Sequence, residues 1–276
     1  MDVLEETSKE KDVVEDEIYA AIITNQNLID AGIALDAAKI INESKKYFNA
    51  RNASEVLKNV DLIDAGIALD AAKIINESKS NYNAYCIQMV LGNLRLLTEG
   101  ISLKAAKIVS ESKEDFNALY ASEILTNKKI LDAGIPFEAA RIINESKNDF
   151  NAIYASCVLT NSYLLKTGIA LDAAKIINQS KEDFNAYYAS EILSDRNLLK
   201  IENYSITSAK LINIIPNYEL AYFVYRLLSS KKLIGNNPAF VFDLSFKIIS
   251  EYYKNNKLDE ETLKGFSGNM RKIDTK

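Results

Sequence analysis

Apolar and polar positions alternate along this chain at helical spacing. Within residues 117–150, Ala118, Ala121, Ile124 and Leu125 share one helical face, and Ile135, Ala139, Ile142 and Ile143 share another. Asn127 and Gly134 break the run between them. Glycine enters the left-handed C′ conformation at little steric cost, so Gly134 predicts a helix end. Pro136 suits the first turn of a new helix. Asp115, and its counterparts Asn81, Asp149 and Asp183, read as N-caps. The pattern predicts two helices, with Lys128 to Ala133 either a short extra turn or a continuation of the first.

The whole pattern then recurs. Gly32, Gly66, Gly100, Gly134 and Gly168 follow one another at intervals of 34 residues. The units fall at 15–48, 49–82, 83–116, 117–150, 151–184 and 185–218; the last loses its glycine and carries one inserted residue before Ser208. Residues 1–14 read as a polar leader or N-terminal cap, 219–264 as a divergent helical cap and 265–276 as a flexible tail. One such hairpin cannot bury its apolar faces alone, whereas stacked hairpins can. The expected fold is therefore all-α, a right-handed α-solenoid of about six 34-residue helical hairpins. At about 10 Å per stacked pair the array would be about 60 Å long.

Gly134 followed by Glu138-Ala139-Ala140 and Ile142-Ile143 resembles the second half of tetratricopeptide and pentatricopeptide units. Phe116-Asn117-Ala118-Leu119-Tyr120 resembles the opening of a pentatricopeptide unit. The chain departs from both: Phe116 to Gly134 is longer than in a pentatricopeptide, Lys147 to Phe150 is shorter, and the tetratricopeptide tryptophan and closing proline are absent. A three-part layout is also similar to armadillo, HEAT and leucine-rich-repeat-variant units. Over about residues 15–215 the resemblance implies a binding scaffold, and it transfers no residue roles.

Charge and composition narrow the function classes. The net charge is −5, with 33 basic and 38 acidic side chains, so no overall basic field draws a phosphate backbone. Histidine is absent, which removes the commonest general base, the commonest zinc ligand and the Ser-His and Cys-His nucleophile systems. Neither a Gly-rich phosphate loop, a Cys-x-x-Cys pair nor an EF-hand pattern occurs. The expectation is a non-enzyme without cofactor or metal. An acidic start, Met1-Asp2-Val3-Leu4-Glu5-Glu6, and the lack of a long uncharged apolar run point to a cytoplasmic protein without a membrane span. Cys86 and Cys157 read as buried small hydrophobes rather than a disulfide.

Candidate binding positions are those that differ between units. The most variable is the pair after the recurring asparagine: Val60-Asp61, Leu94-Arg95, Lys128-Lys129, Ser162-Tyr163 and Arg196-Asn197. A variable pair in a 34-residue helical repeat is similar to the transcription-activator-like effectors, which read one DNA base per unit. The competing reading is a set of exposed first-turn residues free of packing constraint. Glu55, Glu123 and Glu191 recur in alternate units, too far apart to act on one bond, and give a surface negative potential. Lys39, Lys73, Lys107, Arg141 and Lys175 form a basic ladder, answered by Asp36, Asp70, Glu138 and Asp172 three residues before and by Glu43, Glu77, Glu111 and Glu145 four after.

Tyr120, Tyr154 and Tyr188 share one repeat position, with Tyr85 and Tyr187 at a neighbouring one, as half-buried packing residues or as contact platforms. Asn49, Asn83, Asn117, Asn151 and Asn185 recur without exception and are expected to satisfy backbone groups of the neighbouring unit. The favoured function is a protein- or peptide-binding scaffold that holds its partner along a concave surface. The alternative is a nucleic-acid-binding repeat that uses the variable pair.

Overall fold

A computed structural model describes residues 16–201 and 203–255, so the expected leader, the tail and the end of the cap lie outside the described residues. The described chain is all-helical, with no strand. It divides into two compact units, Met1–Ala152 and Ile153–Lys276.

The recurring pattern folds as three helices rather than two. A long helix comes first, a one-turn helix second and a closing helix third. The long helices are Tyr47–Leu57, Asn81–Leu91, Asp115–Thr126, Asp149–Leu159, Asp183–Ser194 and Tyr218–Leu228. The closing helices include Ala34–Asn42, Ala68–Asn76, Ser102–Ser110, Pro136–Asn144, Ala170–Asn178 and Tyr204–Asn213. The segment after Pro216, where the sequence pattern fades, keeps the same order: Tyr218–Leu228, Lys231–Asn236 and Pro238–Asn255.

The break at the conserved-spacing asparagine is a cap. The Asn127 side chain accepts from the N–H groups of Lys129 and Ile130 at 2.9 and 3.4 Å, starting the short helix Lys128–Asp132. Asn59, Asn93 and Asn161 do the same for their own short helices. The capped N–H groups would otherwise have no intrahelical partner. By contrast, Asp115, Asn81, Asp149 and Asp183 are first helical residues and not the caps the sequence suggests. Ser80 and Asn148, one residue earlier, supply the capping oxygens to Asn83 and Asn151. The carboxylates of Asp115, Asp149 and Asp183 lie in the first turn, where the helix dipole favours negative charge.

Each of the five recurring glycines closes its short helix with φ between +69° and +76°. The Gly66 N–H donates to the Ile63 carbonyl and the Ile67 N–H to the Leu62 carbonyl, which is the Schellman pairing. This turn drives the isoleucine that follows back onto the short helix. Pro136 begins its closing helix as expected.

Within the compact units, the long helices Tyr47–Leu57, Asn81–Leu91, Asp115–Thr126 and Asp183–Ser194 pack most extensively on the closing helix of their own triplet, and long helices also pack on neighbouring long helices and closing helices on closing helices. The core is lined by alanine at the close approaches and by branched residues around them. Ala71, Ala72, Ala139 and Ala140 are all fully buried, as are Leu62, Leu96, Ile130 and Leu164 from the short helices. Burial of this apolar surface is the main favourable contribution to such packing.

Two asparagine positions tie the helices together, one within each triplet and one between successive triplets. Asn117, 1% exposed, donates to the Ile143 carbonyl at 2.7 Å and the Ser146 carbonyl at 3.3 Å. Asn49, Asn83 and Asn185 make corresponding bonds to Asn76, Val109 and Ile212. On the closing helices, Asn76 donates to the Ile40 carbonyl and accepts from the Ser44 hydroxyl, both at 2.7 Å. Asn144 with Ile108 and Ser112, and Asn213 with Ile176 and Ser180, repeat the clasp. The long-helix asparagines satisfy backbone carbonyls, but those of the closing helix of their own unit and not of the neighbouring unit as the sequence suggests; the bond between units is made by Asn76, Asn144 and Asn213 on the closing helices.

Candidate functional site

The exposed surfaces of the two main helix types differ in chemistry. On the closing helices the basic ladder of Lys39, Lys73, Lys107, Arg141 and Lys175 is exposed. Lys73 pairs with Asp70 at 3.3 Å, one of the internal pairings the spacing predicts. Such exposed pairs contribute little to stability, but they cancel the local field.

The long helices present aromatic rings and carboxylates. In the first compact unit, Tyr47, Tyr82, Tyr85, Met89 and Phe150 are between 38% and 53% exposed. Glu55, Asp115, Glu123 and Asp149 lie among them, against Arg51 as the exposed long-helix cation. In the second unit Tyr187, Tyr218 and Tyr222 are exposed, accompanied by Asp183, Glu191 and Glu219 against Arg226. Of the predicted glutamates, Glu55 reaches Lys58 at 3.7 Å on its own helix, and all three are solvent-exposed.

The aromatic positions are connected in the second unit. Tyr188, 4% exposed, stacks on Tyr225 with centroids 4.8 Å apart and rings at 21°. It also contacts Tyr187, Tyr218 and Tyr222 at 5.1, 6.2 and 6.0 Å. Tyr187 extends the cluster to Tyr154 at 5.6 Å. Sequence reading identified Tyr154, Tyr187 and Tyr188 but missed Tyr218, Tyr222 and Tyr225, because the inserted residue shifts them out of the 34-residue frame. Burial, aided by the Glu191 carboxylate, pushes the Tyr225 phenol above its ordinary range. The Tyr154 phenol is raised chiefly by burial too, with Tyr187 and Cys157 next and Glu191 adding to them.

The variable pair occupies the first turn of the short α-helices, except that Arg196 and Asn197 lie in the turn just before the 3-10 helix Leu198–Lys200. Lys128, Lys129, Arg196 and Asn197 are exposed, and Ser162 and Tyr163 are half-buried. Val60 and Leu94 are 48% and 65% exposed. Arg95 is committed within the fold: its guanidinium binds Glu99 and Asp132, each at 2.8 Å, bridging successive triplets. The structure thus places the variable pair and the three glutamates on different helix types.

Cys86 is buried, and burial pushes its thiol up to about 11. Cys157 is exposed, contrary to the expectation that both cysteines are buried. A cleft of about 340 Å³ near the C-terminal helices is lined by Ile201, Tyr204, Phe242 and Asp243, among others, with Asp243 its one carboxylate among the described residues. A cleft of about 590 Å³ between the closing helices Ala34–Asn42 and Ala68–Asn76 mixes lysines with Glu43 and Glu77. Among the described residues there is no cluster of three or more potential metal ligands, and no helix is long and apolar enough to cross a membrane. No protein-family model, no curated protein and no solved structure matches the chain.

Proposed function

We propose that this protein is a non-enzymatic helical-repeat scaffold, an α-solenoid of stacked 34-residue triplets, that binds a protein or peptide partner on the surface of its long helices. The observation that supports this reading is the concentration of exposed tyrosine and methionine on those helices, where exposed carboxylates also outnumber cations. Tyrosine supplies a large contact area at low entropic cost and is enriched among residues that dominate binding energy. The recurring closing helices from Ala34–Asn42 to Tyr204–Asn213 carry no exposed aromatic ring, although the last closing helix exposes Phe240 and Phe246. In this reading the long helices line the concave side of the superhelix.

The acidic long-helix surface also weighs against the nucleic-acid alternative, since binding to a phosphate backbone draws its affinity from neutralising cations. Lys128 and Lys129 on a short helix and Arg196 in the turn before another are the exposed cations of the variable pair that such a reading needs.

The test is site-specific photocrosslinking of the full chain in its native cell. A photoreactive residue at Tyr85 on a long helix is expected to trap a partner that one at Lys107 on a closing helix does not. Equal capture from both positions, or capture of nucleic acid from Lys128, would overturn the proposal.

A further inference from the structure

We infer that the tyrosine cluster of the second compact unit is a docking site for an extended peptide segment carrying arginine, with Glu191 as the partner of the guanidinium. This inference rests on the scaffold reading above and names the chemistry of its partner.

Three observations carry it. First, the cluster is both built and open. Tyr188 is buried and contacts four neighbouring tyrosines, so it fixes the rings around it, while Tyr187 and Tyr222 remain 41% and 46% exposed. Exposed rings held in place by a buried one lose little freedom on binding. Second, Glu191 lies on the same helix as Tyr187 and Tyr188, Asp183–Ser194, one turn further on and therefore on the same helix face, and it makes no ion pair among the described residues. Third, the exposed charges on the long helices of this unit are mainly acidic: Asp183, Glu191 and Glu219 against Arg226.

These features select the ligand. A guanidinium stacks flat on a tyrosine face and at the same time presents a planar fork to a carboxylate. Lysine offers a point charge and no planar stack. An acidic segment is repelled by the three carboxylates, and a purely apolar one leaves Glu191 without a partner. The cluster crosses three successive long helices, a span of about 20 Å at ordinary interhelical distances. That length suits about six residues of extended chain.

Fluorescence anisotropy of the full chain tests this with three labelled ten-residue probes, in which serine alternates with arginine, lysine or glutamate. The arginine probe is expected to bind in the micromolar range, about threefold tighter than the lysine probe, and the glutamate probe not at all. Glu191→Gln is expected to weaken the arginine probe about fivefold, and Tyr187→Ser with Tyr222→Ser about tenfold. All three positions are exposed, so the fold is retained, and circular dichroism melting verifies it. Glu123→Gln, at the same repeat position in the first unit, is expected to change nothing.

Equal binding of the arginine and lysine probes with no effect of Glu191→Gln overturns the inference. So does an equal loss from Glu123→Gln, which would mean diffuse attraction to an acidic protein. If crosslinking from Tyr85 captures a partner while the second-unit variants change nothing, the scaffold reading stands and this inference falls.

Discussion

The closing helices and the long helices carry the same repeat under opposite constraints. Ala34–Asn42, Ala68–Asn76 and Ala170–Asn178 have the identical sequence Ala-Leu-Asp-Ala-Ala-Lys-Ile-Ile-Asn. Their buried alanines and isoleucines set the packing, and even their exposed acids and bases recur. The long helices keep what they bury, with the exposed first-turn acids Asp115, Asp149 and Asp183, and vary over much of the rest of the outer face. Asn, Ala and the apolar residues of the inner face persist, whereas positions 51, 85, 119, 153 and 187 read Arg, Tyr, Leu, Ile and Tyr. Positions 55, 89, 123, 157 and 191 read Glu, Met, Glu, Cys and Glu. The difference teaches where the freedom to specialise lies. One helix type holds successive units in register, and the other offers a surface that can change without disturbing that register.

The comparison breaks most severely at the buried asparagine of a long helix. Asn117 presents its amide N–H groups to two carbonyls, so a carboxylate at the same place faces acceptors only. Asn117→Asp is expected to cost about 3–5 kcal/mol, the loss typical of a buried charge without a partner. Glu123→Gln on the exposed face of the same helix is expected to stay within about 0.5 kcal/mol. Urea denaturation followed by circular dichroism measures both. An Asn117→Asp protein as stable as its parent would mean that the inner face is not the fixed part.

The glycine turn separates backbone from packing effects. A Cβ at Gly134 would meet no atom within 4 Å, so any cost of substitution comes from its φ of +73°. Gly134→Val is expected to lose about 2 kcal/mol and Gly134→Ala about 1 kcal/mol, the scale of left-handed strain for L-residues. Gly92 is the internal control. It caps a long helix at φ −78°, a conformation open to any residue, and Gly92→Ala is expected to be neutral or to stabilise slightly. Equal thermal shifts for the two alanine variants would show that the turn's handedness does not matter.

Much of this was legible in the sequence, because the repeat supplies its own internal comparison. The glycine turns and the buried alanine pairs follow from residues that recur at one spacing, and Pro136 marks one helix start; that the recurring asparagines bond backbone was legible too, but not that Asn117 and its equivalents do so within their own unit. Five residues are too few to show a period, so the short third helix is signalled only by the cap made by Asn127 and its equivalents. The caps of the long helices were misplaced by one residue, since an acid at the first helical position and an acid at the cap look alike in sequence. Tyr218, Tyr222 and Tyr225 escaped notice because one inserted residue broke the alignment, although the helices kept their order. Packing between neighbours tolerates a longer loop, and a fixed-period comparison does not.

The smallest effect expected is a gain, and it sharpens the comparison at the one closing helix that departs from the rule. Where other units carry asparagine, Ser102–Ser110 ends in Ser110, whose hydroxyl turns back to the Lys107 carbonyl of its own helix. Its natural partner, the buried Ser78 hydroxyl, is left without a hydrogen bond. In the intact clasps the equivalent serines donate to Asn76 and Asn144 at 2.7 Å. Ser110→Asn supplies the missing acceptor to Ser78 and an N–H donor to the Ile74 carbonyl. The expected gain is about 1 kcal/mol, the net value of satisfying one buried hydroxyl, read as a rise in the urea midpoint. Ser78→Ala in the parent protein should cost little, because no bond is lost, but in the Ser110→Asn background it should remove the gain. A double-mutant cycle with no coupling between positions 78 and 110 would mean that the asparagine holds its neighbour through shape alone.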